Sequence, residues 1–356
     1  MKILISGVCG FVGSTLTEAL LDDDSANEIV GFDNFSRAGS HLNLDRLRKR
    51  GVKVRYADVR LPSDLDGMLE VEWIIDAAAN PSVLAGVDGT TSSRQLVEHN
   101  LYGTVNLLEL AKRYRAGFIL LSTSRVYSVK ALSEIPVMAV DETFRPQRAA
   151  VLPAGASEEG IAENFSVQPP LSLYGASKLA SECLALEYGE AFDFPVWINR
   201  CGVLAGAGQF GHAEQGIFSY WINTYLRRRP LRYIGFDGAG RQCRDCFHPR
   251  DLVFLLKKQF AAGRSAHPRI VNLGGGTQNA MSLAELSRWC AARFGEHEIA
   301  GDPKPRRFDV PWLVMDSRLA RKTWNWQPAI GLEEILKEIA DHAEAHPDWL
   351  EISTPR

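Results

Sequence analysis

Tyr174 and Lys178 stand four residues apart in the run Tyr-Gly-Ala-Ser-Lys. On a helix, that spacing puts both side chains on one face. An ammonium beside a phenol favours the phenolate, so the tyrosine's ordinary pKa of about 10 is expected to fall toward neutrality. Its hydroxyl then becomes a proton-transfer group for an alcohol or a sugar. The spacing alone is weak, because any surface helix carries it by chance. Its weight depends on the rest of the chain.

Residues 2–6 form a short apolar run, followed by Gly7-Val8-Cys9-Gly10-Phe11-Val12-Gly13 and a helical pattern over 12–21. Strand, glycine loop and helix together make a dinucleotide site, since glycines let the backbone approach a pyrophosphate and the helix N-terminus supplies amide donors. The plainer alternative is a strand-to-helix turn without a ligand. A second apolar run, 28–32, ends at Asp33. There a carboxylate accepts hydrogen bonds from the adenosine ribose and repels a 2′-phosphate, which favours NAD over NADP. Arg37 nearby is the residue that would suit the phosphorylated form.

These residues need a scaffold, and 356 residues exceed one compact core, so a large domain plus a lobe is expected. Alternating strand patterns (2–6, 29–33, 52–57, 73–77, 117–122 and 196–200) and helical patterns (12–21, 40–49 and 96–114) predict an α/β fold. It is a Rossmann-like, doubly wound parallel sheet, with a ligand crevice at the strand ends. The expected division is 1–200 for the dinucleotide-binding domain and 201–356 mainly for a smaller substrate-binding lobe, with interleaved boundaries. An amphipathic pattern over 332–342 predicts the last helix, and Arg227-Arg228-Arg229 reads as the cap of a solvated helix end.

The net charge of −3, with acids and bases interspersed, gives no case for nucleic acid or a membrane surface. No apolar stretch approaches the roughly 20 residues of a membrane span, and the N-terminus reads as a strand and not a signal peptide. Six scattered cysteines suggest thiols in a reducing cytoplasm. Cys243 and Cys246, with His248 close behind, invite a metal reading, but no second pair completes four ligands and no metal is expected.

The motifs as a set resemble the extended short-chain dehydrogenase/reductase family. They are the glycine loop, Asp33-Asn34-Phe35-Ser36-Arg37, Asp58-Val59-Arg60, Asn100-Leu101-Tyr102-Gly103-Thr104, Leu121-Ser122-Thr123-Ser124-Arg125-Val126-Tyr127 and the Tyr174–Lys178 run. Gly240 to His248 and Arg306-Arg307-Phe308-Asp309 resemble that family's sugar-nucleotide branch. Gly208-Gln209-Phe210, Glu214-Gln215-Gly216 and the Ser-Thr-Ser-Arg-Val-Tyr loop are similar to the CDP-paratose (CDP-tyvelose) 2-epimerase subfamily.

The resemblance implies roles. Tyr174 is the acid/base, Lys178 lowers its pKa and holds the nicotinamide ribose, and Thr123 bonds the reacting hydroxyl. Gly7, Gly10 and Gly13 take the pyrophosphate, with Phe11 and Val12 over it. Asp33, Asn34, Ser36 and Arg37 hold the adenosine ribose side, and Asp58 and Val59 the adenine. Ala77, Ala78, Ala79, Asn100, Ser122 and Cys201 belong to the path toward the nicotinamide. Ser124, Arg125, Gln209, Arg244 and Arg306 face the nucleotide-diphosphate sugar, arginine being suited to paired bonds with phosphate. A firmly held NAD and a homodimer through helices near 96–114 and 177–190 are also implied.

Some positions depart from the family pattern. Val203 replaces an asparagine, Pro81 stands where some 4-epimerases have a cofactor-binding lysine, and Ser128 replaces a glycine. Residues 136–170 are either a lid or an unremarkable surface excursion. The Asp-Glu pair that dehydratases carry after the catalytic threonine is Ser124-Arg125 here, which argues against loss of water. The chemistry expected is transient oxidation to a ketosugar and hydride return to the opposite face, at carbon 2 of a CDP-sugar. A UDP-hexose or UDP-hexuronate 4-epimerase, a ketoreductase and a dinucleotide sensor without catalysis are the other readings.

Overall fold

The computed structural model describes every residue except Asp88, Thr90, Thr91, Pro355 and Arg356. Short apolar runs become strands β1 (Lys2–Ser6), β2 (Glu28–Asp33), β3 (Lys53–Tyr56), β4 (Trp73–Asp76), β5 (Gly117–Thr123) and β6 (Val196–Cys201). The chain continues through β7 (Val203–Leu204), β8 (Cys243–Phe247), β9 (Ile270–Leu273), β10 (Ala280–Ser282) and β11 (Trp312–Leu313). Seven of these form one parallel sheet in the order β3-β2-β1-β4-β5-β6-β9. Strand order reverses between β1 and β4, and that switch point opens the ligand crevice of such sheets. The predicted Rossmann-like sheet is present, completed by a strand from the C-terminal half.

Both faces of the sheet are buried, as parallel sheets require. Ile3 and Ile5 of β1 pack on one side with Ile75, Ile119 and Trp197, while Leu4 packs on the other with Ile74, Phe118 and Ile198. The longer helices include α1 (Phe11–Asp23), α2 (Gly103–Tyr114), α3 (Leu173–Ala191), α4 (Ile217–Leu226), α5 (Leu252–Ala262), α6 (Leu283–Phe294) and α7 (Leu332–Ala345), and the helix expected over 40–49 is present at Leu42–Lys49. Leu16 and Leu20 of α1 join the first cluster, and Leu107 of α2 and Ala185 of α3 join the second. A separate core, with Trp221 from α4, Leu286 from α6 and Ile339 from α7, supports the region where β8 pairs with β7, β10 and β11.

Four local expectations are refined. The helix expected over 96–114 is broken into Ser93–Val97, a π-helical turn at Glu98–Tyr102, and α2. Arg227 and Arg228 do not simply cap a solvated end. Arg227 donates to the carbonyls of Ala343, His346 and Pro347, and Arg228 to those of Phe294 and Gly295, so they close the C-termini of α7 and α6. Residues 136–170 fold into two small hairpins that dock away from the cleft wall, with Ile161 N–H donating to Val314 O at 2.8 Å and Phe144 N–H to Arg241 O at 2.9 Å. Cys243 and Cys246 point to opposite sides of β8, into separate apolar clusters.

Candidate active site

A cleft of about 1100 Å³ lies at the C-terminal ends of β1, β2, β4 and β5. Its cofactor wall begins with the glycine loop. Gly7 has φ +62°, and a Cβ on Gly13 would stand 2.2 Å from Gly7 O, so the fold itself demands both glycines. A Cβ on Gly10 would meet only Gly7 O, at 3.2 Å. Gly10 faces the cleft, where the lack of a side chain leaves room for a ligand's close approach. The N-terminus of α1 has no side-chain cap, which leaves its amides available to an anion. These features fit a dinucleotide pyrophosphate.

Asp33 ends β2 on the cleft wall. Its Oδ2 accepts from Cys9 N–H at 3.0 Å and Oδ1 from Phe35 N–H at 2.8 Å. Burial raises its carboxyl pKa, and the N–H groups of Phe35, Cys9 and Gly10 oppose that. Asn34, Ser36, Arg37 and Val59 share this wall with Phe11 and Val12. Asp58 stands behind it. Its oxygens are taken by Asn34 Nδ2 at 3.0 Å and by Arg60 Nε at 3.0 Å and Nη2 at 2.7 Å. Burial alone would raise Asp58, but those donors hold it well below the usual carboxylate range.

Ala77, Ala78 and Ala79 continue the wall, held by Ser6 Oγ, which accepts from Ala77 N–H at 3.0 Å and Ala78 N–H at 2.9 Å and donates to Asp76 at 2.9 Å. Asn100 is buried and not on the wall. Its side chain accepts from Asn80 N–H at 2.8 Å and donates to Asn80 O at 3.0 Å and Ser177 Oγ at 3.3 Å, which fixes the loop after β4 against α3.

The helix carrying Tyr174 starts on a firm footing. Ser172 Oγ caps α3 by accepting from Gly175 N–H at 3.0 Å. A Cβ on Gly175 would stand 2.1 Å from Arg125 O, so this glycine lets the helix start press onto the turn that follows β5. That approach brings the Tyr174 phenol near the Thr123 hydroxyl, which favours the phenolate. Ser122, Ser124, Arg125 and Cys201 line the same end of the cleft.

Burial acts on both titratable groups at this end of the cleft. Burial pushes the Tyr174 phenol up to about 12, with Thr123 and Arg125 pulling the other way. Lys178, its partner on the helix, is buried too. The lysine lies behind the tyrosine, 2% exposed; burial lowers its pKa, opposed by Asp76 and Glu182. Asp76 and Glu182 favour the charged form of the lysine. Neither acid was picked out from sequence, because Asp76 reads as an ordinary strand-end residue and Glu182 as one helix position among many.

Three guanidinium groups face the substrate side of the cleft, Arg125 beside Tyr174 and Arg244 and Arg306 on the facing wall. Arg244 Nη2 pairs with Asp309 Oδ1 at 2.9 Å and Val310 O at 2.8 Å. Arg306 donates one bond, to Ala213 O at 3.3 Å. Arg125 donates one long bond, to Phe308 O at 3.4 Å, and burial pushes its pKa down to about 10, with Arg244 and Arg306 acting in the same direction and Asp309 opposing. Gln209 Nε2 donates to Leu204 O at 2.8 Å, while its buried Oε1 has no partner among the described residues. This wall suits an anion with oxygen acceptors. Val203 and Pro81, both departures from the family pattern, also face the cleft.

The model of the NAD dependent epimerase/dehydratase family matches residues 3–274. The chain belongs to that family, and its cofactor is NAD. It is 26% identical to CDP-paratose 2-epimerase of Salmonella typhi over 354 residues, covering 96% of this chain and 98% of the relative. It is 27% identical to UDP-glucuronate 4-epimerase of Thermodesulfobacterium geofontis over 345 residues, covering 95% and 94%. Among solved structures, UDP-glucuronic acid 4-epimerase from Bacillus cereus in complex with UDP-glucuronic acid and NAD superposes with a TM-score of 0.74 at 22% identity, covering 97% of this chain and 99% of that one. Likeness at that identity establishes the fold. No helix among the described residues is long and apolar enough to cross a membrane.

Proposed function

We propose that this enzyme inverts one carbon of a nucleotide-diphosphate sugar through a transient ketone, and that the carbon is carbon 2 of a CDP-linked sugar of the paratose/tyvelose type. The observation that carries the chemistry is the meeting of Thr123 and Tyr174 at the end of β5, opposite a wall of arginines. Bound NAD supplies a reversible acceptor for the hydride on the reacting carbon. Thr123 holds the reacting hydroxyl, and Tyr174, as phenolate, takes its proton as the ketone forms. When the ketone is reduced from its other face, Tyr174 gives the same proton back to the oxygen. The cycle is redox-neutral and consumes no second substrate. Arg306 and Arg244 hold the diphosphate while the sugar turns between the two halves. With Ser124 and Arg125 after Thr123, no acid stands there to drive loss of water.

The 2-epimerase choice rests on the Gly208-Gln209-Phe210 and Ser-Thr-Ser-Arg-Val-Tyr stretches and on the CDP-paratose 2-epimerase relative. A second reading, 4-epimerisation of a UDP-hexuronate, is favoured by Arg125. This half-buried cation beside Tyr174 is acted on by one acid, Asp309, which is already paired with Arg244, so a sugar carboxylate would match it. Incubation with CDP-, UDP-, dTDP- and GDP-sugars, followed by NMR of the products, separates the two. Inversion at carbon 2 of a CDP-sugar is expected; inversion at carbon 4 of a UDP-hexuronate would replace that reading with the second.

The assembly we propose is a homodimer through α2 and α3, at whose ends Tyr102, Leu173 and Phe192 are exposed at 58%, 36% and 42%. Light scattering of the purified protein is expected to give twice the 39.4 kDa chain mass. A monomer at micromolar concentration would contradict it.

A further inference from the structure

The stretch 208–216 crosses from the substrate wall to the cofactor wall, and its tip is a tight hairpin. His212 N–H donates to Gln215 O at 2.8 Å, and Gln215 N–H returns to His212 O at 3.0 Å. Gly208 and Gly216, at φ +75° and +69°, turn the chain on either side of it. Three separate parts of the cleft hold this tip. Arg37 Nη1, from the loop after β2, donates to Gln215 Oε1 at 3.0 Å. Ser82 Oγ, from the loop after β4, donates to Glu214 Oε2 at 3.0 Å. From the opposite wall, Arg306 Nη2 donates to Ala213 O at 3.3 Å.

All four tip residues face the cleft. Arg37 is the telling partner. Its Nη2 is buried with no hydrogen-bond partner among the described residues, so one edge of the guanidinium is fixed by Gln215 and the other remains unpaired in the cofactor wall. An unsatisfied buried donor of this kind is costly unless a ligand oxygen completes it. Ser82 fixes the loop that follows the Ala77–Ala79 wall in the same manner. His212, flanked by Arg37 and Arg306, is held neutral near neutral pH by burial and by those two charges, so the tip adds no third cation.

We infer that the 212–215 hairpin is a strap over the bound dinucleotide, in which Gln215 and Glu214 are positioning residues. Gln215 orients Arg37, and Glu214 secures the loop after β4. Together they keep NAD in place through the interval when the sugar is a ketone. The Arg306 contact ties the strap to the anion-binding wall, so a nucleotide diphosphate on that wall tightens cofactor retention. This inference rests on the NAD assignment and on the diphosphate role of Arg306.

The test is the rate at which bound NAD leaves the full-length protein, followed by exchange against excess isotope-labelled NAD. It is run on wild type and on Glu214→Ala/Gln215→Ala, each with and without CDP or UDP. The double variant is expected to release NAD about tenfold faster, as loss of two modest hydrogen bonds allows. The nucleotide diphosphate should slow release from wild type and have little effect on the variant. Glu214→Gln, which keeps an acceptor for Ser82, should restore most of the Glu214 contribution. If the double variant does not fold, Ser82→Ala reads the same latch. Equal release rates in folded wild type and variant would overturn the strap, while wild type purified without any NAD, and taking up none, would overturn the cofactor assignment itself.

Discussion

Tyr174→Phe removes one oxygen and leaves the ring that packs beside the cofactor wall. Turnover is expected to fall by about 10²- to 10⁴-fold, the usual contribution of a positioned proton-transfer group, while the NAD content of the purified protein stays the same. Wild-type turnover in this variant would show that another group is the base. Thr123→Val gives a different signature. The Tyr174 phenol is raised by burial to about 12 and lowered in part by Thr123. A raised acid remains protonated to higher pH, so its base form, and with it kcat/KM, grows as pH rises. Losing the Thr123 hydroxyl should move that limb further to alkaline pH; a limb that moves to acid pH would contradict the assignment. The spacing of Tyr174 and Lys178 revealed the pair, but not the other neighbours that act on its charge states. Neighbours 51 residues away, such as Thr123, and buried acids such as Asp76 come together only through the sheet.

At the scale of elements, the seating of α3 against the turn after β5 decides where the tyrosine sits. Gly175→Ala would place a methyl 2.1 Å from Arg125 O, so the helix start must shift. The expected cost is about 1–3 kcal/mol of stability, as for other overpacked sites, with a lower kcat than the stability loss alone explains. Thermal unfolding and steady-state kinetics check both, and unchanged values would show that the contact is soft. The first six strands were legible because their apolar runs are bounded by turn residues and alternate with helical patterns. Strand β9, with only Ile270-Val271-Asn272-Leu273, had no such frame and was expected only as an unspecified late element. The π-helical turn at Glu98–Tyr102 left no periodic signal, since it adds one residue to a continuous helical pattern. Residues 136–170 were ambiguous because Pro- and Ala-rich composition does not report docking, and their anchors lie near 241 and 314–316.

For the whole molecule, the parallel sheet and the C-terminal core frame one cleft with a dinucleotide wall, a Thr123–Tyr174 centre and an arginine wall. The strap at 212–215 lay beyond sequence reasoning, because its contacts join positions separated by 178 and 132 residues. The central claim is that this cleft inverts a carbon by taking and returning its own hydride. The most direct test is turnover of the sugar identified by the nucleotide panel in deuterium oxide, with NMR of the inverted carbon. Inversion with the original hydrogen retained at that carbon, and no net NADH, is the expected result. Deuterium at the inverted carbon would contradict it, because the carbon would then have lost a proton to solvent.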